Sequence, residues 1–286
     1  MQKIIDLHVH SYMSDGTCSP KEIIELANQK KIRAIALTDH DSIEGVAEAE
    51  KEALKYDINF LKGIEMSVSY EKERILHIIG LGMDINHSYF IEHYIKMKKA
   101  RDDGAMNIIE LMRKKGIDID SNLLRNGCMT RYLDRYTIHQ YLIEKELCCD
   151  AQEVWDVYLN PIPYGDDELL EVEEALDLIK KTGGLAFLAH YNKKIGLLGY
   201  SESEMEKHIE TLRNIGLTGI EKYYPSYTQK DTLYAEYLSN KYDLIPSGGT
   251  DFHGKNRPNI QLGTGGNSFF VPYSIYEGIK TKLTRE

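Results

Sequence analysis

The sequence predicts an α/β protein built on a parallel sheet or barrel, with a helical segment inserted in its middle. Three observations predict this. Short apolar runs alternate with amphipathic helical stretches over residues 4–81, in the manner of β-α-β units. The same alternation returns over residues 172–283. Between them, residues 88–159 show helical patterning and no strong strand.

The first strand is Ile4-Ile5-Asp6-Leu7-His8-Val9-His10. Strand side chains alternate faces, so His8 and His10 point the same way, ~7 Å apart along the strand, and can converge on a metal. Asp15 follows in a polar, glycine-containing loop. Ser19-Pro20-Lys21-Glu22 opens a helix with an N-cap serine, proline in the first turn and a capping-box glutamate. Arg33–Thr38 is a continuous apolar run, a strand covered on both faces, ending in Thr38-Asp39-His40-Asp41. A helix is expected over Ser42–Tyr56, then strands Asn59–Glu65 and Ile75–Leu81. Polar residues gather at strand C-termini, where α/β barrels place their active sites.

The inserted helices are expected over Ser88–Lys115, Tyr132–Glu146 and Ala151–Leu159, forming a cap domain (88–159) between two parts of the barrel domain (1–87 and 160–286). Pro161 and Pro163 bar a continuous helix at its far end. Then come helix Val172–Thr182, strand Leu185–His190, helix Glu202–Asn214, strand Gly219–Tyr224, helix Thr228–Lys241, a strand at Leu244–Gly249 and helix Tyr273–Leu283.

The 286 residues are 42% hydrophobic and 28% charged, ordinary for a packed soluble protein. A net charge of −10 argues against a large nucleic-acid-binding surface. It does not exclude an anionic substrate at a site whose local field is set by metal ions. No run reaches the ~18–20 apolar residues of a membrane helix. The N-terminus carries no secretory pattern. Cys18, Cys128, Cys148 and Cys149 lack CxxC spacing, and reduced thiols in a cytoplasmic protein are the simplest reading.

His8, His10, Asp15, His40, Glu65, His77, His190, Asp251 and His253 stand at or beside successive element ends. One ion takes three or four protein ligands, so nine candidates favour two or three divalent ions. Mixed histidine and carboxylate donors suit Mn, Zn or Fe more than Mg or Ca. Asp6 and Asp39 are expected to support neighbouring ligands. His87, His93, His139 and His208 are expected on surfaces or in packing.

The run Asp6-Leu-His-Val-His10-Ser11, with Ser14-Asp15-Gly16, Thr38-Asp39-His40-Asp41, Gly63-Ile64-Glu65, His77-Ile78-Ile79-Gly80, Ala189-His190 and Ser247-Gly248-Gly249-Thr250-Asp251-Phe252-His253, resembles the motif set of the PHP (polymerase and histidinol phosphatase) family. The motifs occur in the family's order across almost the whole chain. The resemblance implies a distorted (β/α)7 TIM-like barrel with a helical cap. It also implies a cytoplasmic, metal-dependent phosphoesterase that attacks a phosphate monoester with metal-activated hydroxide. Its small phosphorylated substrate would be a nucleotide or nucleoside bisphosphate, or a short RNA 5′ end. Within that pattern His8, His10, Glu65 and Asp251 hold one ion; Glu65, His77 and His190 a second; Asp15, His40 and His253 a third.

The branch carries an Arg-x-His pair in its insertion. Arg135 or Arg131 aligns with the arginine here and is the expected phosphate clamp, which puts Thr137 or Leu133 at the histidine. Tyr227 replaces a second histidine. Lys193, Lys194 and Arg257 follow motif residues closely enough to reach the rim and bind substrate, or to remain solvated surface charges. Two other readings stay open: a metal-dependent hydrolase of C–N bonds, and a non-catalytic metal-binding regulatory module.

Overall fold

The computed structural model describes residues 3–71, 74–127, 132–147, 150–165, 167–266 and 269–284. Strands β1 (Ile4–Asp6), β2 (Ile32–Leu37), β3 (Asn59–Tyr70) and β4 (Arg74–Leu81) alternate first with helices α1 (Pro20–Gln29) and α2 (Val46–Ala53). Next come α3 (Ser88–Lys114), α4 (Ser121–Gly127), α5 (Arg135–Glu144) and α6 (Ala151–Glu153), the last running into a π-helix at Val154–Leu159. The alternation resumes with β5 (Leu170–Glu171), α7 (Val172–Lys181), β6 (Leu185–Leu188), α8 (Glu202–Asn214), β7 (Gly219–Tyr223), α9 (Gln229–Lys241), β8 (Ile245–Gly248), β9 (Val271–Pro272) and α10 (Tyr273–Leu283). Among the described residues, no helix is long and apolar enough to cross a membrane.

The sheet runs β8-β7-β6-β4-β3-β2-β1-β9. It closes into a barrel because the chain beyond β1 meets the chain beyond β8. Leu7 N–H donates to Gly248 O (3.2 Å), Asp251 N–H donates to His8 O (2.8 Å), and Val9 bridges Phe252. A Cβ on Gly249 would lie 2.3 Å from His8 N, so only glycine permits this approach. The expected barrel is distorted at β4, which runs antiparallel to both β3 and β6. β3 and β4 form one long hairpin, paired from Gly63–Leu81 to Tyr70–Arg74. Glu65 and His77 are therefore mid-strand residues. Because side chains alternate and His77 pairs with Ser67, Glu65, Ser67 and His77 share the inward face.

The capping box at Ser19 and Glu22 forms as expected. An apolar cluster of alternating residues (Ile5 and Leu7, Ala34 and Ala36, Ile79 and Leu81, Leu185 and Phe187) packs against Tyr276 and Ile279 of α10. The helices between β4 and β5 have their own core around Ile108, Ile109, Leu133, Ile138 and Leu142. They dock beside the strand ends through polar contacts. Arg101 of α3 pairs with Asp41 at 2.7 Å, and Gln140 of α5 donates to the Tyr12 and Ser14 carbonyls.

Candidate metal centre

The site is built around one buried carboxylate. Glu65 Oε2 is approached by His8 Nε2 (3.1 Å), His10 Nε2 (3.2 Å) and His40 Nδ1 (3.0 Å). Its Oε1 is approached by His77 Nδ1 (3.0 Å) and His190 Nε2 (3.1 Å). Asp251 Oδ1 lies 3.1 Å from His10 Nε2 and 3.4 Å from His8 Nε2. Asp15 Oδ1 lies 3.1 Å from His253 Nε2 and 3.9 Å from His40 Nε2.

Three ligand groups follow, each with donor atoms within 4.8 Å of one another: His8, His10, Glu65 and Asp251; His10, Asp15, His40 and His253; His40, Glu65 and His77. The first contains the residues expected. The second is the expected trio of Asp15, His40 and His253 joined by His10. The third joins His40 to Glu65 and His77, while the expected His190 approaches the same Glu65 oxygen, Oε1, as His77 does.

The donors fit divalent ions. His8 Nε2, both nitrogens of His10, Asp15 Oδ1, His40 Nδ1, Glu65 Oε2, His190 Nδ1 and His253 Nε2 are buried without a hydrogen-bond partner. Orphans of this kind are costly unless something satisfies them. Ligands ~2.1 Å from a tetrahedral ion stand ~3.4 Å apart, close to the donor separations found here.

Charge is balanced within the cluster. Burial opposes ionisation of Glu65, yet His8, His40 and His77 hold its carboxyl well below the usual range. Burial likewise opposes the charge on Asp15, which His253 and His40 lower strongly. Burial pulls His10 down, but Asp251 and Glu65 raise it to about 9. His40 is driven well below its ordinary value, first by burial.

Supporting residues fix which ring nitrogen faces inward. Glu221 of β7 is fully buried. It accepts from His8 Nδ1 (2.9 Å) and from the His190 backbone N–H (2.6 Å), which turns the His8 Nε2 lone pair toward the space beside Glu65 and Asp251, where an ion would take it. His253 Nδ1 donates to the Asp251 carbonyl (2.8 Å), which turns Nε2 to Asp15. Asp39 accepts from Ser11 N–H, Ser11 Oγ and Ser14 Oγ, holding the loop that carries Asp15. Asp6 accepts from Thr250 N–H and Oγ1 and from Gly263 N–H, holding the Asp251 segment. Asp41, His190 and Asp251 adopt positive φ (49°, 26° and 55°), so backbone strain concentrates at the cluster.

Residues 6–243 match the PHP domain. The chain belongs to the PHP family. Among curated PHP relatives, the 3′,5′-nucleoside bisphosphate phosphatase of Chromobacterium violaceum is 29% identical over 262 residues, spanning 91% of this chain and 90% of its own. The 5′-3′ exoribonuclease Rnm of Escherichia coli is 28% identical over 271 residues (91% of this chain, 88% of its own). Among solved structures, a proposed metal-dependent phosphoesterase of Bifidobacterium adolescentis superposes with a TM-score of 0.84 at 20% identity, covering 98% of this chain and 96% of that one. A Chromobacterium violaceum protein described as an amidohydrolase, solved with sulfate and no metal, gives 0.81 at 27% identity (97% and 96%).

Around the PHP cluster opens a cavity of about 1470 Å³, lined by His40, His77, His190 and Asp251, by the cations Arg74, Lys193, Lys194 and Arg257, and by the carboxylates Glu71, Asp156, Asp167 and Glu171. Of the expected substrate residues, Lys193, Lys194 and Arg257 thus reach the cavity. Arg257 also pairs with Asp251 Oδ2, the oxygen to which Tyr224 donates at 2.7 Å.

The expected clamp is corrected. Arg135 donates to the carbonyls of Leu159 (2.6 Å), Ile162 (2.8 Å) and Pro163 (2.8 Å), and its guanidinium stacks 3.9 Å over Tyr164. It caps carbonyls that the end of the π-helix and the proline-broken linker leave without helical partners. Arg131 lies outside the described residues, as do Cys128, Cys148 and Cys149. Thr137 is used in capping α5, and Leu133 is core. Tyr227 packs on Tyr191 and Tyr224.

Three site residues were missed. Glu221 had a signal, a carboxylate between Ile220 and Lys222 in a strand with a buried face. Tyr136, stacked on His40 at 4.7 Å and 11°, and Arg101, paired with Asp41, had none, because both come from helices far away in sequence.

Proposed function

We propose that this PHP chain hydrolyses the phosphate monoester of a ribonucleotide, using two or three divalent ions of the Mn, Zn or Fe type held by the three ligand groups above. The observation that carries the reading is the convergence of orphaned ring nitrogens and carboxylate oxygens beside a cavity that Lys193, Lys194 and Arg257 help to line. When bound, the ions supply Lewis-acid neutralisation of phosphoryl oxygens and water of lowered pKa.

The chain's own residues do the rest. Glu65 and Asp251 stay ionised under the influence of the flanking cations. Glu221 keeps His8 in the tautomer that presents Nε2. Arg257, fixed by Asp251 at the cavity wall and 41% exposed, offers its remaining N–H groups to phosphate oxygens, with Lys193 and Lys194 adding positive charge along the same wall.

The ribose phosphate class is favoured because the relatives' names share it: a nucleoside bisphosphate phosphatase, an exoribonuclease, and an Eggerthella lenta phosphoribosyl 1,2-cyclic phosphate diphosphodiesterase 26% identical over 261 residues. Hydrolysis of C–N bonds is the weaker reading, since the relatives just named are all named for phosphate-ester chemistry. The test is a panel on Mn²⁺-loaded protein: AMP, a nucleoside 3′,5′-bisphosphate, ribose 5-phosphate, a short 5′-phosphorylated RNA and cyclic amides. Phosphate release from the ribose phosphates is expected; amide hydrolysis without phosphate release overturns the proposal.

A further inference from the structure

A second cavity, about 620 Å³, opens on the other side of the same ligands. It falls within the ~300–1,000 Å³ of small-molecule clefts. Asp15 and His253 form its inner wall, whereas His40, His77, His190 and Asp251 face the first cavity. Gln152 and Arg257 line both, so the two spaces meet at the guanidinium that pairs with Asp251.

The walls differ in chemistry. The first cavity carries Arg74, Lys193 and Lys194, the second carries Lys255, and Arg257 lines both. The second is lined by Trp155, the only tryptophan of the chain, and by His139, Ile143, Pro258 and the amides Asn256 and Asn259.

Trp155 is placed there deliberately by the backbone. It lies on the π-helical turn Val154–Leu159, whose register is marked by Asn160 N–H donating to Trp155 O at 2.8 Å. Such wide turns are rare and concentrate at functional sites. One face of the indole stacks on His139 (5.2 Å, 20°) and its edge meets Tyr136, which lies parallel to His40. The indole remains partly exposed where it lines the cavity. His139 donates Nε2–H to the Ala151 carbonyl (3.1 Å), which fixes its ring against the indole. Asn256 donates to the Asp15 carbonyl at 2.7 Å, and its Oδ1 makes no hydrogen bond among the described residues. A flat aromatic platform beside amides with spare hydrogen-bonding capacity is the chemistry that holds a nucleobase.

We infer that the second cavity binds the nucleobase of the substrate against Trp155, while the phosphate lies at the ligand cluster and Arg257 spans the two. This rests on the nucleotide reading above and extends it to a site for the base.

The uniqueness of Trp155 makes the test direct, because all tryptophan emission from the Mn²⁺-loaded chain reports this wall. Adenosine, which has no phosphate, and AMP are expected to change the emission saturably, and ribose 5-phosphate, which has no base, to leave it within error. In turnover, Trp155→Ala is expected to lower the ratio of kcat/KM for AMP over ribose 5-phosphate by about tenfold, with Trp155→Phe restoring most of it, since base–aromatic stacking supports a change of that order. Equal emission changes with AMP and ribose 5-phosphate, or a ratio unmoved by Trp155→Ala, overturn the inference. Absence of phosphate release from both substrates, with adenosine still changing the emission, overturns the phosphoesterase reading instead, so the two failures are distinct.

Discussion

Replacing Glu221 by glutamine removes one acceptor from a pair that the structure uses fully. Glu221 Oε1 takes the His8 ring N–H at 2.9 Å and Oε2 takes the His190 backbone N–H at 2.6 Å, with no solvent access. Glutamine is nearly isosteric but has a single oxygen, so its amide NH₂ must face one of the two donors. A hydrogen bond to a charged group contributes about 1.5–3 kcal/mol. Losing a group that orients a metal-bound histidine costs 10–100-fold, or about 1.4–2.7 kcal/mol. The ranges overlap near 2 kcal/mol, which corresponds to about a 30-fold loss. The assay is Mn²⁺ affinity by calorimetry, with kcat/KM for a ribose phosphate measured at saturating Mn²⁺ on the same samples. The expected result is a roughly 30-fold weaker ion affinity in Glu221→Gln, concentrated in the sites that use His8 and His190. Wild-type affinity and wild-type kcat/KM together refute the claim that Glu221 sets the tautomer of His8.

Ion loading should release protons. His10 stays protonated up to about pH 9 in the ion-free chain, whereas an ion takes only the neutral ring. Apparent affinity therefore rises about tenfold per pH unit for each proton displaced, levelling near pH 9. The stabilisation from that proton is complete below the unfolded value of 6.5 and is lost as pH rises to about 9. The ion-free melting temperature should fall across that window, and an unbuffered Mn²⁺ titration at pH 7.5 should acidify; an unchanged pH contradicts the balance described here. Gly249→Ala forces a Cβ to within 2.3 Å of His8 N. Neither backbone can yield, so a destabilisation of about 3 kcal/mol is expected, read as a lower melting temperature with weakened ion binding. Lys98 is fully buried and pairs with Asp134 at 2.9 Å. Lys98→Met should cost about 3–5 kcal/mol in urea unfolding by stranding Asp134, and Lys98→Met with Asp134→Ser, which keeps an N-cap for α5, should recover part of it.

The metal cluster was legible in the sequence because barrel topology brings short motifs from distant positions to one place. His8, His10, His40, His190, Asp251 and His253 need only local strand-and-loop rules to be placed near one another. Glu65 and His77 were found for an incomplete reason. In sequence they read as residues at or beside strand ends, but the β3–β4 hairpin continues past them, and it is the shared inward face that brings them together. The reversal of β4 was hidden because an apolar run such as Ile75–Leu81 carries no mark of direction. Arg135 shows where residue type misleads. A buried arginine serves an anion or a set of orphaned carbonyls equally well, and only the path of the linker after Leu159 decides. Trp155 was unreadable for a related reason, since a π-helical turn shifts side chains off the 3.6-residue period from which faces are predicted.

The central claim is that the cluster around Glu65 holds divalent ions and that phosphate-ester hydrolysis depends on them. Metal content and phosphate release from a ribose phosphate should be measured together on one preparation, as isolated, after chelation, and after Mn²⁺ is restored, alongside Asp251→Ala. Two or three ions per chain are expected, with turnover that disappears with the ions and returns with them, and an Asp251→Ala protein that lacks at least one ion and is nearly inactive. Undiminished phosphate release from a metal-free Asp251→Ala protein would contradict it.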